Sequence, residues 1–199
     1  MKVIGLTGGI GSGKSTVAKI LEEMGATIVD MDSLGHEAVK KGSWAWESIV
    51  REFGEEILAA DSEIDRARLG KIVFNDKKAL SRLNRIVHPE IDRLLKAGLE
   101  EHRRRGVKVA VVEAAAMLEA GREYKPDELW VTVAPRDTVL RRIAGRGGLS
   151  EKEARARIKS QLSNEERRRH ADVVIDTDGT LAETRAKVVK EWEELLKRL

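Results

Sequence analysis

Gly8-Gly9-Ile10-Gly11-Ser12-Gly13-Lys14-Ser15 has the spacing G-x-x-x-x-G-K-S, with Thr16 next. Glycines at these places let the backbone curl until successive N–H groups face one concavity, which favours an anion. The start of a following helix adds its positive dipole end. Lys14 can reach the outer phosphates of a nucleoside triphosphate, and the Ser15 hydroxyl can ligate Mg²⁺. Such a motif binds phosphate only if a strand precedes it and a helix follows. Both are expected here. Val3-Ile4-Gly5-Leu6 is a short apolar run, and Val17, Ile20, Leu21 and Met24 recur at helical spacing until Gly25.

Two carboxylates follow a second apolar run, Thr27-Ile28-Val29. Asp30 and Asp32 stand beyond the end of that expected strand, where ligands of a parallel sheet gather. If the strand conformation continues, alternation points both acids the same way. One of them could then serve as general base toward an acceptor hydroxyl. A second reading makes Asp32 the cap of a helix opening at Ser33-Leu34. Glu113 ends a third, almost wholly apolar run from Val107, and is a candidate acid near a metal ion, with a structural role equally open. Arg136, Arg141, Arg142 and Arg146 form a basic segment that closes at Gly147-Gly148. Arg142 and Arg146 are the expected functional members of a helical lid.

These groups need a scaffold. Five short apolar runs, the last two being Leu129-Val133 and Asp172-Ile175, alternate with helical patterns and imply an α/β fold with a five-stranded parallel sheet. Residues 33–105 carry only helical periodicity, broken at Gly42, Gly54 and Asp61-Ser62, too much for one simple crossover. They are expected to be a helical insertion covering an acceptor substrate. His88-Pro89 is expected to separate two helices, with Pro89 in the first turn of the second. Ser150-Glu153, Ser163-Glu166 and Thr180-Glu183 have the form of N-terminal capping signals.

The 199 residues, 41% hydrophobic and 36% charged, suit a soluble globular chain, and no apolar run approaches a membrane span. Without cysteine there is neither disulfide nor thiolate metal site. With no leader before the first strand, a cytoplasmic location is expected. A net charge of +3 fits anionic ligands without implying nucleic acid. The basic runs His102–Arg105 and Arg167–His170 are expected to be solvated helix ends.

The ordered set of Ile4–Thr16, Val29-Asp30-Met31-Asp32, Leu69, Val73-Phe74, His88-Pro89, Arg142, Arg146, Gln161 and Ala171-Asp172 resembles the dephospho-coenzyme A kinase family along essentially the whole chain. The resemblance implies a three-layer P-loop kinase fold in one domain. Its nucleotide-binding core would be about 1–32, 106–135 and 171–199, its helical acceptor-binding part about 33–105 and its lid about 136–170. It implies transfer of a phosphoryl group from ATP, with Mg²⁺, to the ribose 3′-hydroxyl of dephospho-coenzyme A, the last step of coenzyme A synthesis.

Carried over by position, Asp32 would be the base facing that hydroxyl. Gly8, Gly9 and Gly11 to Thr16 would hold ATP phosphates, with Lys14 on the transferred group and Ser15 on the metal. Arg142 and Arg146 would neutralise charge from the lid side, and His88 would lie on the acceptor side. The chain departs from the family pattern at Ala115, where proline is usual, at Gly147 after Arg146, where aspartate is usual, and at Thr177, where asparagine is usual.

Three other readings compete. The first is a kinase of the same architecture for another small hydroxy compound or nucleotide. The second is a GTP-dependent switch, for which Asp32-Ser33-Leu34-Gly35 fits D-x-x-G but no N-K-x-D exists. The third is a nucleic-acid binder using the arginine runs.

Overall fold

Strand β1 (Lys2–Gly8) is the middle strand of the sheet and is buried from Val3 onward. The computed structural model describes residues 1–115, 117–119, 125–148 and 150–199, apart from the Arg146 side chain. Helix α1 (Lys14–Glu23) follows β1, and Gly25 beyond its end has φ +98°, the left-handed value that glycine tolerates after a helix. Strand β2 (Thr27–Asp30) comes next. The other strands are β3 (Val109–Glu113), β4 (Glu128–Val133) and β5 (Val173–Asp176). Their order is β2-β3-β1-β4-β5, and β1 runs parallel to both β3 and β4, as β4 does to β5. Neighbours on both sides of β1 place the loop leaving it where the chain changes direction across the sheet, the position at which open α/β sheets bind ligands.

The chain divides into two compact units. One comprises Met1–Val29 and His102–Leu199, the other Asp30–Glu101. In the first, Ile4, Leu6, Val111, Trp130 and Ile175 are buried with Val17 and Leu21 of α1. Val188, Trp192 and Leu195 of the last helix (Leu181–Leu196) join them. Each such side chain, taken fully from water, contributes about 1.5–3 kcal/mol. Three more helices of this unit form the expected lid segment, Arg136–Arg146, Glu151–Lys159 and Asn164–His170. The three expected caps are present as reciprocal boxes, Ser150 with Glu153, Ser163 with Glu166 and Thr180 with Glu183.

The second unit is helical. Helix α2 (Met31–Ala38) opens directly on β2, α3 (Trp44–Phe53) starts after Gly42, and a 3-10 turn (Glu55–Ile57) follows Gly54. Then come α4 (Arg66–Val73) and α5 (Lys77–Arg104). Ile49, Phe53, Ile57, Leu69 and Val73 make its core, with Leu80, Leu83, Ile86 and Val87 packed against them.

Two expectations are corrected here. His88-Pro89 does not separate two helices: α5 runs unbroken through Pro89 for 28 residues. A mid-helix proline loses one hydrogen bond and costs about 3 kcal/mol. Apolar burial on both sides, Ala79 before it and Ile91, Leu95 and Leu99 after it, outweighs that cost. Nor does the extended chain continue past β2: Met31 and Asp32 are already helical, so Asp30 and Asp32 are not an alternating strand pair. Among the described residues, no helix is long and apolar enough to cross a membrane.

The remaining helices are α6 (Arg136–Arg146), α7 (Glu151–Lys159), α8 (Asn164–His170) and α9 (Leu181–Leu196).

Candidate active site

The loop between β1 and α1 is pinned from four sides. Ser12 N donates to Gly9 O at 3.1 Å within the loop. Below it, the hydroxyls of Ser12 and Thr132 of β4 are 2.7 Å apart. Thr177, just past β5, donates its hydroxyl to Ser12 O at 2.8 Å. Arg142 of α6 donates to Gly11 O at 3.3 Å, to Thr177 Oγ1 at 2.9 Å and to Thr177 O at 2.6 Å. Gln161, beyond α7, accepts from Ile10 N at 2.9 Å.

What this leaves unengaged matters more. Gly13 has φ +87° and caps α1 with no side-chain bond, and the first in-helix bond onto the cap is Val17 N to Gly13 O. The N–H groups of Gly11, Gly13, Lys14, Ser15 and Thr16 therefore have no acceptor among the described residues. Such a row of donors at a helix start suits a polyphosphate. Close packing explains why glycine is needed beneath it. A Cβ on Gly8 would lie 2.0 Å from Thr132 Oγ1 and 2.8 Å from Thr132 O.

Register supplies the acid. Val109, Val111 and Glu113 share one face of β3 at period two, and Glu113 is paired beside Leu6, whose side chain lies with α1. Glu113 thus meets the start of α1: Lys14 Nζ donates to Glu113 Oε1, and Ser15 Oγ donates to the same oxygen at 3.2 Å. Mg²⁺ takes oxygen ligands and keeps several waters and substrate phosphates, so one hydroxyl and one carboxylate are a sufficient protein share. Among the described residues there is no cluster of three or more His, Asp or Glu side chains suited to a metal held by protein alone. The cavity against the loop measures about 360 Å³ and is lined by Gly8 to Ser15, Ala115, Arg157, Ser160 and Gln161.

In the helical unit the two aspartates divide their tasks. Asp30 is the N-cap of α2: its carboxylate accepts from Asp32 N at 2.9 Å and from Ser33 Oγ at 2.7 Å. The capping role that the sequence left open for Asp32 therefore belongs to Asp30. Asp32 is exposed in the first turn, and its carboxylate has no hydrogen bond or ion pair to a described residue. His88 is half-buried in the middle of α5. Arg146 ends α6, and its side chain lies outside the described residues.

The run Arg167–His170 is not a simple solvated end. Arg167 is fully buried, ion-paired to Glu119, and donates through Nε to Leu162 O at 3.2 Å. Its Nη1 has no partner among the described residues. Paired burial of a guanidinium makes sense because α8, Asn-Glu-Glu-Arg-Arg-Arg-His, has no apolar residue to present to the sheet. That absence was the signal available in the sequence. Thr132, by contrast, had no signal outside its strand.

The family model described as "CoaE: Dephospho-CoA kinase" matches residues 2–183. A "Dephospho-CoA kinase" of Geobacter sulfurreducens is 48% identical over 192 residues, which are 96% of this chain and 98% of that one. A crystal structure from Thermus thermophilus superposes with a TM-score of 0.83 at 33% identity, covering 100% of this chain and 97% of that one. The "Dephospho-CoA kinase" of Campylobacter jejuni superposes with a TM-score of 0.75 at 30% identity, covering 99% and 98%. With a pinned ring of free amides in place and a match along nearly its whole length, the chain belongs to the dephospho-CoA kinase family.

Proposed function

We propose that this chain moves the γ-phosphoryl group of ATP to the ribose 3′-hydroxyl of dephospho-coenzyme A, giving coenzyme A and ADP in the cytoplasm. The observation that carries this reading is the row of five acceptor-free N–H groups from Gly11 to Thr16, with Lys14 at its edge. Phosphoryl transfer asks chiefly for positioning and charge neutralisation, which a rigid cradle of donors provides. Gly8 and Gly9 let the loop lie close over the sheet. Lys14 exchanges Glu113 for the outer phosphates. Ser15 and Glu113 would hold Mg²⁺, which when bound draws charge from the β- and γ-oxygens.

In the transfer, the acceptor 3′-oxygen forms a bond to the γ-phosphorus. The bond from that phosphorus to the β,γ-bridging oxygen breaks, and its electron pair leaves with ADP. The hydroxyl proton passes to Asp32. That carboxylate is available because Asp30 performs the capping. Arg142 holds the cradle and the turn at Thr177. A second cavity of about 260 Å³, lined by Gly13, Thr16, Arg142, Thr177 and Gly179, takes the nucleoside end. His88 belongs to the acceptor side and Arg146 to the lid.

The test is a coupled ADP-release assay with ATP and Mg²⁺, offering dephospho-coenzyme A beside shikimate, nucleoside monophosphates and short hydroxy acids. Dephospho-coenzyme A is expected to give the highest kcat/KM, by at least about a hundredfold. Equal or better turnover of another acceptor would assign the chain a different substrate.

A further inference from the structure

The cavity over the phosphate loop has a lining cation that the pattern of functional residues did not single out. Arg157 of α7 shares it with Gly9, Gly11, Gly13, Lys14 and Gln161. Three facts bear on Arg157.

First, it stands on the stripe of α7 that faces the loop. Ala154 is buried, and Ile158 packs with Ile10 against the cluster of Val139 and Ile143. Gln161 bonds Ile10 N. Arg157 falls at the i+3 position from Ala154 and i−4 from Gln161, on the same side of the helix. Second, its guanidinium has no hydrogen bond or ion pair to a described residue. The carboxylate of Glu153, four residues back, lies within reach of its field but accepts its hydrogen bonds from Ser150 in the capping box.

Third, three arginines near it are already engaged. Arg142 is spent on Gly11 O and Thr177, Arg155 is paired to Glu151 at 2.6 Å, and Arg167 is buried on Glu119. A cation lining the cavity, beside free amide donors and Lys14 and with no ion pair to a described residue, is placed to meet a polyphosphate. We propose that Arg157 is a lid arginine that contacts the transferred phosphoryl group, and that Arg142 is a positioning residue for the loop. The planar fork of Arg157 spans two equatorial oxygens as negative charge spreads over them.

This inference rests on the phosphoryl-transfer reading, but not on the acceptor. Whichever acceptor the unaltered chain uses best is the one on which the variants are compared, so a wrong substrate and a wrong arginine give different results. Arg157→Ala is expected to lower kcat about a hundredfold or more, with ADP affinity by calorimetry changed less than about threefold and Tm held. Arg157→Lys is expected to recover only a small part of kcat. Arg155→Ala, on the solvent side of the same helix, is expected to leave kcat and Tm unchanged. Arg142→Ala is expected to weaken ADP binding and lower Tm together. The assignment is overturned if Arg157→Ala keeps kcat within about threefold, or if its loss of kcat comes with an equal loss of ADP affinity or a fall in Tm.

Discussion

The two units offer chemistry of different kinds. In the sheet unit the groups suited to phosphate are main-chain N–H donors, fixed by Thr132, Thr177, Arg142 and Gln161 from separate elements. In the helical unit the candidate is one carboxylate, Asp32, left unengaged on the first turn of α2 while Asp30 caps that turn. Backbone donors need a shape that glycine allows and packing enforces. A side-chain base needs only a helix start and a neighbour that relieves it of capping. The first arrangement resists substitution nearly everywhere, and the second depends on one atom group.

Lys14→Met gives the largest expected effect. It removes the only side-chain cation of the loop and strands Glu113, and turnover should fall about a thousandfold or more in the coupled assay. A loss below about tenfold would mean that the amides alone suffice.

Paired glycine substitutions sharpen the contrast next. Gly8→Ala forces a Cβ into Thr132, backbone included, and should cost about 1–3 kcal/mol in a denaturant melt. Gly35→Ala, inside α2, would meet only Ile91 Cδ1 at an ordinary 3.6 Å. It should stabilise the chain by up to about 1 kcal/mol through helix propensity. Equal effects at the two sites would erase the distinction between the units.

The smallest effect concerns acid. The hydrogen bond from the Ser150 hydroxyl holds Glu153 below the ordinary carboxylate range, as Ser163 does for Glu166 and the Thr180 N–H for Glu183. In the helical unit, Arg93 does the same for Glu90. A carboxyl lowered in the folded state contributes stability above its unfolded pKa of about 4.3, and that contribution is lost as pH falls through the folded value. Tm should therefore drop as pH goes from about 6 to 3. The triple variant Glu153→Gln, Glu166→Gln, Glu183→Gln should show a shallower drop, and an unchanged slope would deny the boxes a role.

The contiguous features were legible from residues alone. The loop from Gly8 to Thr16, the strands and the capping boxes are local, so spacing and side-chain type announce them. The features that spacing misjudged are those decided by distant neighbours. Pro89 reads as a break until buried residues on both sides hold α5 together. Asp32 reads as part of a strand pair until the helix begins one residue earlier, at Met31. Arg167 reads as solvated because its partner, Glu119, is 48 residues away. Arg142 reads only as a charged residue of the lid segment, since its bonds to Thr177 and Gly11 O span 35 and 131 positions. Gln161 gives no local sign of its role, because its bond to Ile10 N spans 151 positions.

Turnover and nucleotide binding measured side by side on Asp32→Asn test the central claim most directly. With dephospho-coenzyme A as acceptor, kcat should fall about a hundredfold to ten-thousandfold while ATP affinity stays within about threefold of the unaltered chain. Full activity in that variant would remove Asp32 from the chemistry and contradict its assignment as the base that takes the hydroxyl proton.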